Sequence, residues 1–145
     1  MPKPPSAPEF ARAVEAPRAA GRPATHAVAA NADERAALAR RFSLLSLDRL
    51  EAEVRLERLE GGFVRLTASL VAEAVQECVV TLEPVPARLA EDFTVLYGAP
   101  EAARDIVLDS EAEPVEPLEG GRIDIGEAVA QQLSLSLDPF PRAPN

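Results

Sequence analysis

The chain has 145 residues, 47% of them hydrophobic and 4% aromatic with no Trp, so it can bury one domain's core of Leu, Val and Ala but offers few rings on which bases could stack. No run approaches the roughly 18 apolar residues of a membrane span, and "MPKPPSAPEF" lacks the apolar centre of a signal peptide; a cytoplasmic protein without a membrane partner is expected. A single cysteine, Cys78, excludes an internal disulfide, and the net charge of -9 is concentrated, with 2 basic against 12 acidic side chains in residues 73–119. Such a run is either a solvated face or an electrostatic surface. Its field would repel phosphate and attract a Lys/Arg-rich protein.

Residues 1–24 hold six of the 14 prolines and read as an extended, weakly specified segment, in which "PEFARAV" admits a short strand. Residues 25–145 read as a single α+β domain. In "NADERAALARRF" the spacing of Asn31 and Glu34 is that of a capping box, which predicts a helix over 32–43. Arg40 and Arg41 near its end suit the negative pole of the helix dipole. From Leu47 the period changes: Leu50, Ala52, Val54 and Leu56 alternate with charged residues and predict a half-buried strand. Gly61-Gly62 supplies a hairpin turn, and Val64, Leu66, Ala68 and Leu70 mark the returning strand. "ECVVTLEPV" and "ARLAEDFTVLYG" extend this to a meander of about four antiparallel strands, with Pro84 and Pro86 at the last turn. Residues 98–122 read as an acidic loop in which "DIVL" admits a short strand.

The closing stretch "GGRIDIGEAVAQQLSLSLDPFP" has a start and a stop. Asp124 can cap a helix, Glu127 can reach back to the Asp124 N–H, and Pro139 ends the helix. Ile125, Val129, Leu133 and Leu137 form an apolar stripe, although "LSLSL" over 133–137 also has the period of a strand. A helix to about Leu137 is favoured. It either closes the core over the sheet or presents its outer face, with Gln131, Gln132, Ser134 and Ser136, to a partner.

Little in the chain points to catalysis. His26 is the only histidine, Cys78 is flanked by a valine in an apolar run, and no phosphate-cradling glycine loop or dinucleotide fingerprint is present. No catalytic residue, cofactor or small-molecule substrate is assigned.

The order of these pieces resembles the large ribosomal RNA subunit accumulation protein family (YceD-like). The resemblance covers roughly residues 45–143 and rests on the alternating strands ending in Cys78, the acidic spacer, and an ending in which Ile123, Asp124, Ile125, Gly126 and Glu127 precede a leucine-rich helix through Leu133 and Leu137 and the stop at Pro139. It implies a non-enzymatic role in making or retaining large-subunit ribosomal RNA, in company with large-subunit ribosomal proteins. Many members carry a C-x-x-C pair where Cys78 sits; here Thr81 takes the second place, so no metal is expected.

The sequence therefore predicts an α+β fold: an antiparallel sheet of about four to six strands, one early helix and one C-terminal helix. The expected partner is a basic large-subunit ribosomal protein or pre-ribosomal particle, met by Glu111, Glu113, Glu116 and Glu119. The competing expectation is direct RNA contact through Arg40, Arg41, Arg49, Arg55, Arg58 and Arg65.

Overall fold

A computed structural model describes residues 9–18, 21–98, 115–118 and 120–142. The elements in chain order are β1 (Ala13–Glu15), β2 (Ala24–Ala29), α1 (Ala32–Arg41), β3 (Ser46–Arg58), β4 (Val64–Glu77), β5 (Pro84–Gly98), β6 (Val115–Pro117), β7 (Arg122–Asp124) and α2 (Ile125–Ser136). Strands β2-β3-β4-β5-β6 form one five-stranded sheet, and β1 and β7 form a separate antiparallel pair. This is an α+β fold with an early and a C-terminal helix.

The long central hairpin follows directly from the alternating sequence. Leu50, Ala52, Val54 and Leu56 on β3, with Val64, Leu66, Ala68, Leu70, Ala72 and Ala74 on β4, are all buried on one face. Register places large beside small: Leu50 faces Ala72, Ala52 faces Leu70, and Val54 faces Ala68, so the paired volumes stay nearly level for the helices to cover. The turn between the strands uses Gly61 and Gly62, both at φ +80°, as the glycine pair requires. A bulge between Leu47 and Arg49 ends the regular ladder.

Beyond the hairpin the structure departs from the sequence expectations. Residues 24–29, read within or beside the extended N-terminal segment and the first helix, form β2 on the edge next to β3. "ECVVTLEPV" is not a strand of its own: Glu77 ends β4, and Cys78 to Glu83 form the turn into β5. Pro84 and Pro86 lie inside β5 rather than at a turn. Among the described residues no strand covers β5 on its far side before Leu96, and an open edge tolerates residues that cannot donate to a ladder. The last strand, β6, pairs with β5 in parallel, through Leu96–Val115 to Gly98–Pro117, so the sheet is mixed. "DIVL" lies outside the described residues.

Helix α2 resolves the double reading of residues 133–137 as helix to Ser136, with Leu137 as its extended C-cap. It buries Ile125, Ala128, Val129, Ala130 and Leu133 in the core shared with the sheet. Helix α1 ends at Arg41, slightly short of 43, and has the complete capping box: Glu34 N–H donates to the Asn31 side chain at 2.8 Å, and Asn31 N–H donates to the Glu34 carboxylate at 2.9 Å.

The N-terminal segment crosses the start of α2 so closely that a Cβ on Gly126 would stand 2.3 Å from the Phe10 carbonyl oxygen and 3.1 Å from the Arg12 nitrogen. Phe10 itself is fully buried. Gly126→Ala in a free helix would gain roughly 1 kcal/mol from propensity. Here it is expected to lose about 1–3 kcal/mol through the clash with a backbone that cannot rotate away. Urea unfolding of the variant reads the sign.

Candidate partner-binding surfaces

The motif Ile123 to Glu127 is a junction. Asp124 ends β7 opposite Ala13 of β1 and caps α2, its Oδ1 accepting from Glu127 N–H at 3.1 Å and from Arg12 N–H at 2.8 Å. Ile125 N–H donates to the Arg12 carbonyl at 3.0 Å. Ile123 and Ile125 are buried on either side of the cap. The Glu127 carboxylate does not reach back to Asp124 as the capping-box spacing predicts. Instead it takes both guanidinium nitrogens of Arg41, at 2.8 and 3.1 Å, a charged fork stronger than a single backbone donor. Arg41 also meets Glu9 at 3.2 Å.

Arg12 makes the matching connection on the other side. Its guanidinium donates to the two Glu34 oxygens at 2.6 and 2.7 Å and to the Ala29 carbonyl at 3.2 Å. One residue thus ties β1 to the start of α1 and the end of β2. Sequence reading missed it because its partners are 17 to 112 positions away.

The arginines set aside for RNA are largely engaged. Arg49 is paired with Glu51 at 2.7 Å, Arg65 with Glu57 at 3.6 Å and Arg41 with Glu127, while Arg58 donates to the Pro17 carbonyl. Arg40 and Arg55 are exposed. On the open face of the sheet, Arg55 lies between the rungs of Glu53 and Glu57, so basic side chains are interrupted by acidic ones and form no continuous stripe.

Of the acidic residues singled out, Glu116 is exposed on β6 and faces Tyr97 across the parallel pair; Glu111, Glu113 and Glu119 lie outside the described residues. Glu116 borders a groove of about 880 Å³ between the β5 edge and α2, lined also by Phe93, Val95, Tyr97, Asp124, Gln131 and Leu135. The groove's charged lining is Glu116, Asp124 and the Arg41-paired Glu127 against Arg122. Burial pushes the Tyr97 phenol up to about 12, and the Glu116 and Asp124 carboxylates add to the shift by disfavouring phenolate.

Cys78 is buried in the β4–β5 turn, where its sulfur accepts from Thr81 N–H at 3.5 Å. The Thr81 hydroxyl accepts from Glu83 N–H at 3.3 Å. Among the described residues no three His, Cys, Asp or Glu side chains converge as metal ligands, and one thiol beside a hydroxyl held by the backbone does not fit a tetrahedral site. His26 stands on β2 opposite Val54, its Nε2 buried without a hydrogen-bond partner among the described residues. No helix among the described residues is long and apolar enough to cross a membrane.

Two titrations report on these surfaces. Tyr97 is the only tyrosine, so the phenolate absorbance of the folded protein is expected to rise near pH 12 rather than about 10. Glu116→Gln should bring it down. Because the folded value is the higher one, the neutral phenol's contribution to stability is complete below about pH 10 and is lost as pH rises through the folded value.

The Arg12 hydrogen bonds hold the Glu34 carboxyl below the usual range, so that pair's contribution is complete above the unfolded-state value of about 4.3 and is lost as pH falls through the folded one. Glu34→Gln keeps a side chain able to complete the cap but removes the charge. The acid limb of its urea-midpoint profile should be flatter than the parent's.

In comparison with known proteins, the model of a family described as "Large ribosomal RNA subunit accumulation protein YceD" matches residues 66–145, from the middle of the central hairpin through α2. No curated protein and no solved structure matches the chain.

Proposed function

Since the chain belongs to the YceD family of large ribosomal RNA subunit accumulation proteins, we propose that it is a non-enzymatic ribosome-biogenesis factor whose acidic surface meets a basic large-subunit ribosomal protein, free or within a pre-ribosomal particle. The observation that carries this reading is exposed Glu116 on β6, at the border of the groove and within the sequence segment that also holds Glu111, Glu113 and Glu119. Carboxylates on an exposed surface repel RNA phosphate and favour lysine and arginine. Pairing of Arg41, Arg49 and Arg65 with carboxylates weighs against the same protein binding RNA directly through those arginines. The single cysteine agrees with a cytoplasmic setting.

The test replaces Glu111, Glu113, Glu116 and Glu119 with Lys, a change of about eight charge units, in a strain lacking the chromosomal copy. Loss of the protein should lower large-subunit relative to small-subunit ribosomal RNA. The quadruple variant should melt like the parent yet fail to restore the ratio. Parental binding to isolated basic ribosomal proteins should weaken as salt rises, since exposed charges are screened beyond about 8–10 Å at physiological ionic strength. A variant that restores the ratio and binds with the parent's affinity and salt dependence rules out the electrostatic mechanism.

A further inference from the structure

Seven large apolar side chains stand exposed among the described residues, and five of them, Leu45, Val79, Val80, Leu82 and Phe140, gather at one end of the sheet. Backbone hydrogen bonds fix them there. Leu45 N–H donates to the Val75 carbonyl at 2.8 Å, and Val79 N–H donates to the Pro141 carbonyl at 2.9 Å, so the entry to β3, the β4–β5 turn and the C-terminal segment form one surface. The buried Gln76 side chain adds a 2.8 Å bond to the Asp138 carbonyl. Exposed apolar residues scattered singly need no explanation, but a concentrated group held on ordered backbone does.

Leu82 sharpens the question. It adopts φ +64°, a conformation glycine or asparagine takes at far lower cost, while its side chain is 65% exposed. The turn around it is closed: Cys78 N–H donates to the Glu83 carbonyl at 2.8 Å and Leu82 N–H to the Cys78 carbonyl at 3.0 Å. Neither burial nor turn geometry calls for leucine. Backbone strain and an exposed apolar side chain therefore coincide in one residue of the β4–β5 turn.

We propose that this apolar end is a docking surface for a protein partner that presents an apolar pocket rimmed by lysine or arginine. Charge selects that occupant. Around Val79, Val80, Leu82 and Phe140 the exposed charges are Glu77 and Glu83 on the two flanks of the turn and Asp138, outnumbering Arg142, while beside Leu45 Arg40 and half-buried Arg35 stand with Asp48. RNA or an anionic bilayer would bring phosphate against these carboxylates, and a symmetric contact with a second copy would oppose each carboxylate to its own kind. The proposal takes its partner class from the ribosomal role proposed above, but uses a surface separate from residues 111–119.

The experiment uses the full chain with a benzophenone amino acid at position 80, irradiated in cells, beside two variants, Leu82→Gly and Val80→Ser. The expected cross-link is to a large-subunit ribosomal protein, at apolar residues flanked by Lys or Arg. Leu82→Gly should melt at or above the parent temperature, since the strain is relieved, while its co-sedimentation with large-subunit precursor particles falls about tenfold or more; Val80→Ser should melt like the parent and lose co-sedimentation similarly. Cross-links only to RNA, lipid or a second copy, no cross-link, or variants that co-sediment like the parent would overturn the proposal. If the quadruple Lys variant co-sediments normally while Leu82→Gly does not, the acidic mechanism fails and the apolar end stands. The reverse pattern overturns the apolar end alone.

Discussion

The carboxylate of Asp124 sits where two distant pieces of chain meet, beside the β1–β7 pairing and the bond from Ile125 N–H to the Arg12 carbonyl. It accepts from the first turn of α2 and from the N-terminal segment 112 positions away, and both donors are backbone N–H groups that would be left without a partner at a buried crossing. Around it, Ile123 and Ile125 face the core, Gly126 leaves room for the passing Phe10 carbonyl, and Glu127 reaches Arg41. Arg12 carries the connection onward to Glu34 and hence to the cap of α1. The two helices, the small β1–β7 pair and the edge strand β2 are thereby fixed relative to one another through a chain of charge-assisted hydrogen bonds, with hydrophobic burial under the sheet supplying most of the driving force.

These bonds also explain how charge is distributed. In the first half of the chain, basic and acidic side chains are nearly balanced, and many of the arginines are paired: Arg12 with Glu34 and Arg41 with Glu127 between elements, and Arg49 with Glu51 and Arg65 with Glu57 on the exposed face of the hairpin. Between residues 73 and 119, acids outnumber bases six to one, and among the described residues Arg88 is matched only to Glu73. Among the described residues, exposed Glu91 and Asp92 lie on β5 and exposed Glu116 on β6, along the edge of β5 that no described strand covers before Leu96. Charges there serve a second purpose, since an unpaired sheet edge with acidic side chains and two prolines is a poor template for joining another sheet.

What could be read from the sequence was whatever a short window contains. The period-two burial of β3 and β4, the glycine turn and the two N-caps depend on neighbours within a few positions, and all stand in the structure. The missed features depend on distant ones. "ATHAVA" becomes β2 because β3 presents a free edge, with Val28 opposite Ala52, and nothing within the six residues separates it from an extended segment. The prolines of β5 suggested a turn because their tolerance depends on edge position, a property of the sheet. The run at 78–83 reads as strand because the apolar "CVV" looks buried, whereas Val79 and Val80 stand in solvent and only Cys78 is enclosed. Glu127 had the right spacing for the Asp124 backbone, and only the fold reveals that Arg41 competes for it.

This difference bears on where recognition resides. The family match begins at Leu66 and so contains both the junction motif and the β4–β5 turn. Most of the junction is occupied by the fold: Asp124 Oδ1 accepts two backbone donors, the Glu127 carboxylate holds a guanidinium, and the isoleucines lie in the core. A carboxylate already engaged in this way must break a fold-holding contact before it can hold a partner. The exposed face of α2, the acids around β6 and the apolar turn carry no such obligation. Leu82 is the sharpest case, because its conformation costs stability and its side chain recovers none through burial. The motif that makes the chain recognisable as a family member is thus mostly committed to holding the fold, and the contact proposed above is better sought on the side chains whose presence the fold leaves unexplained.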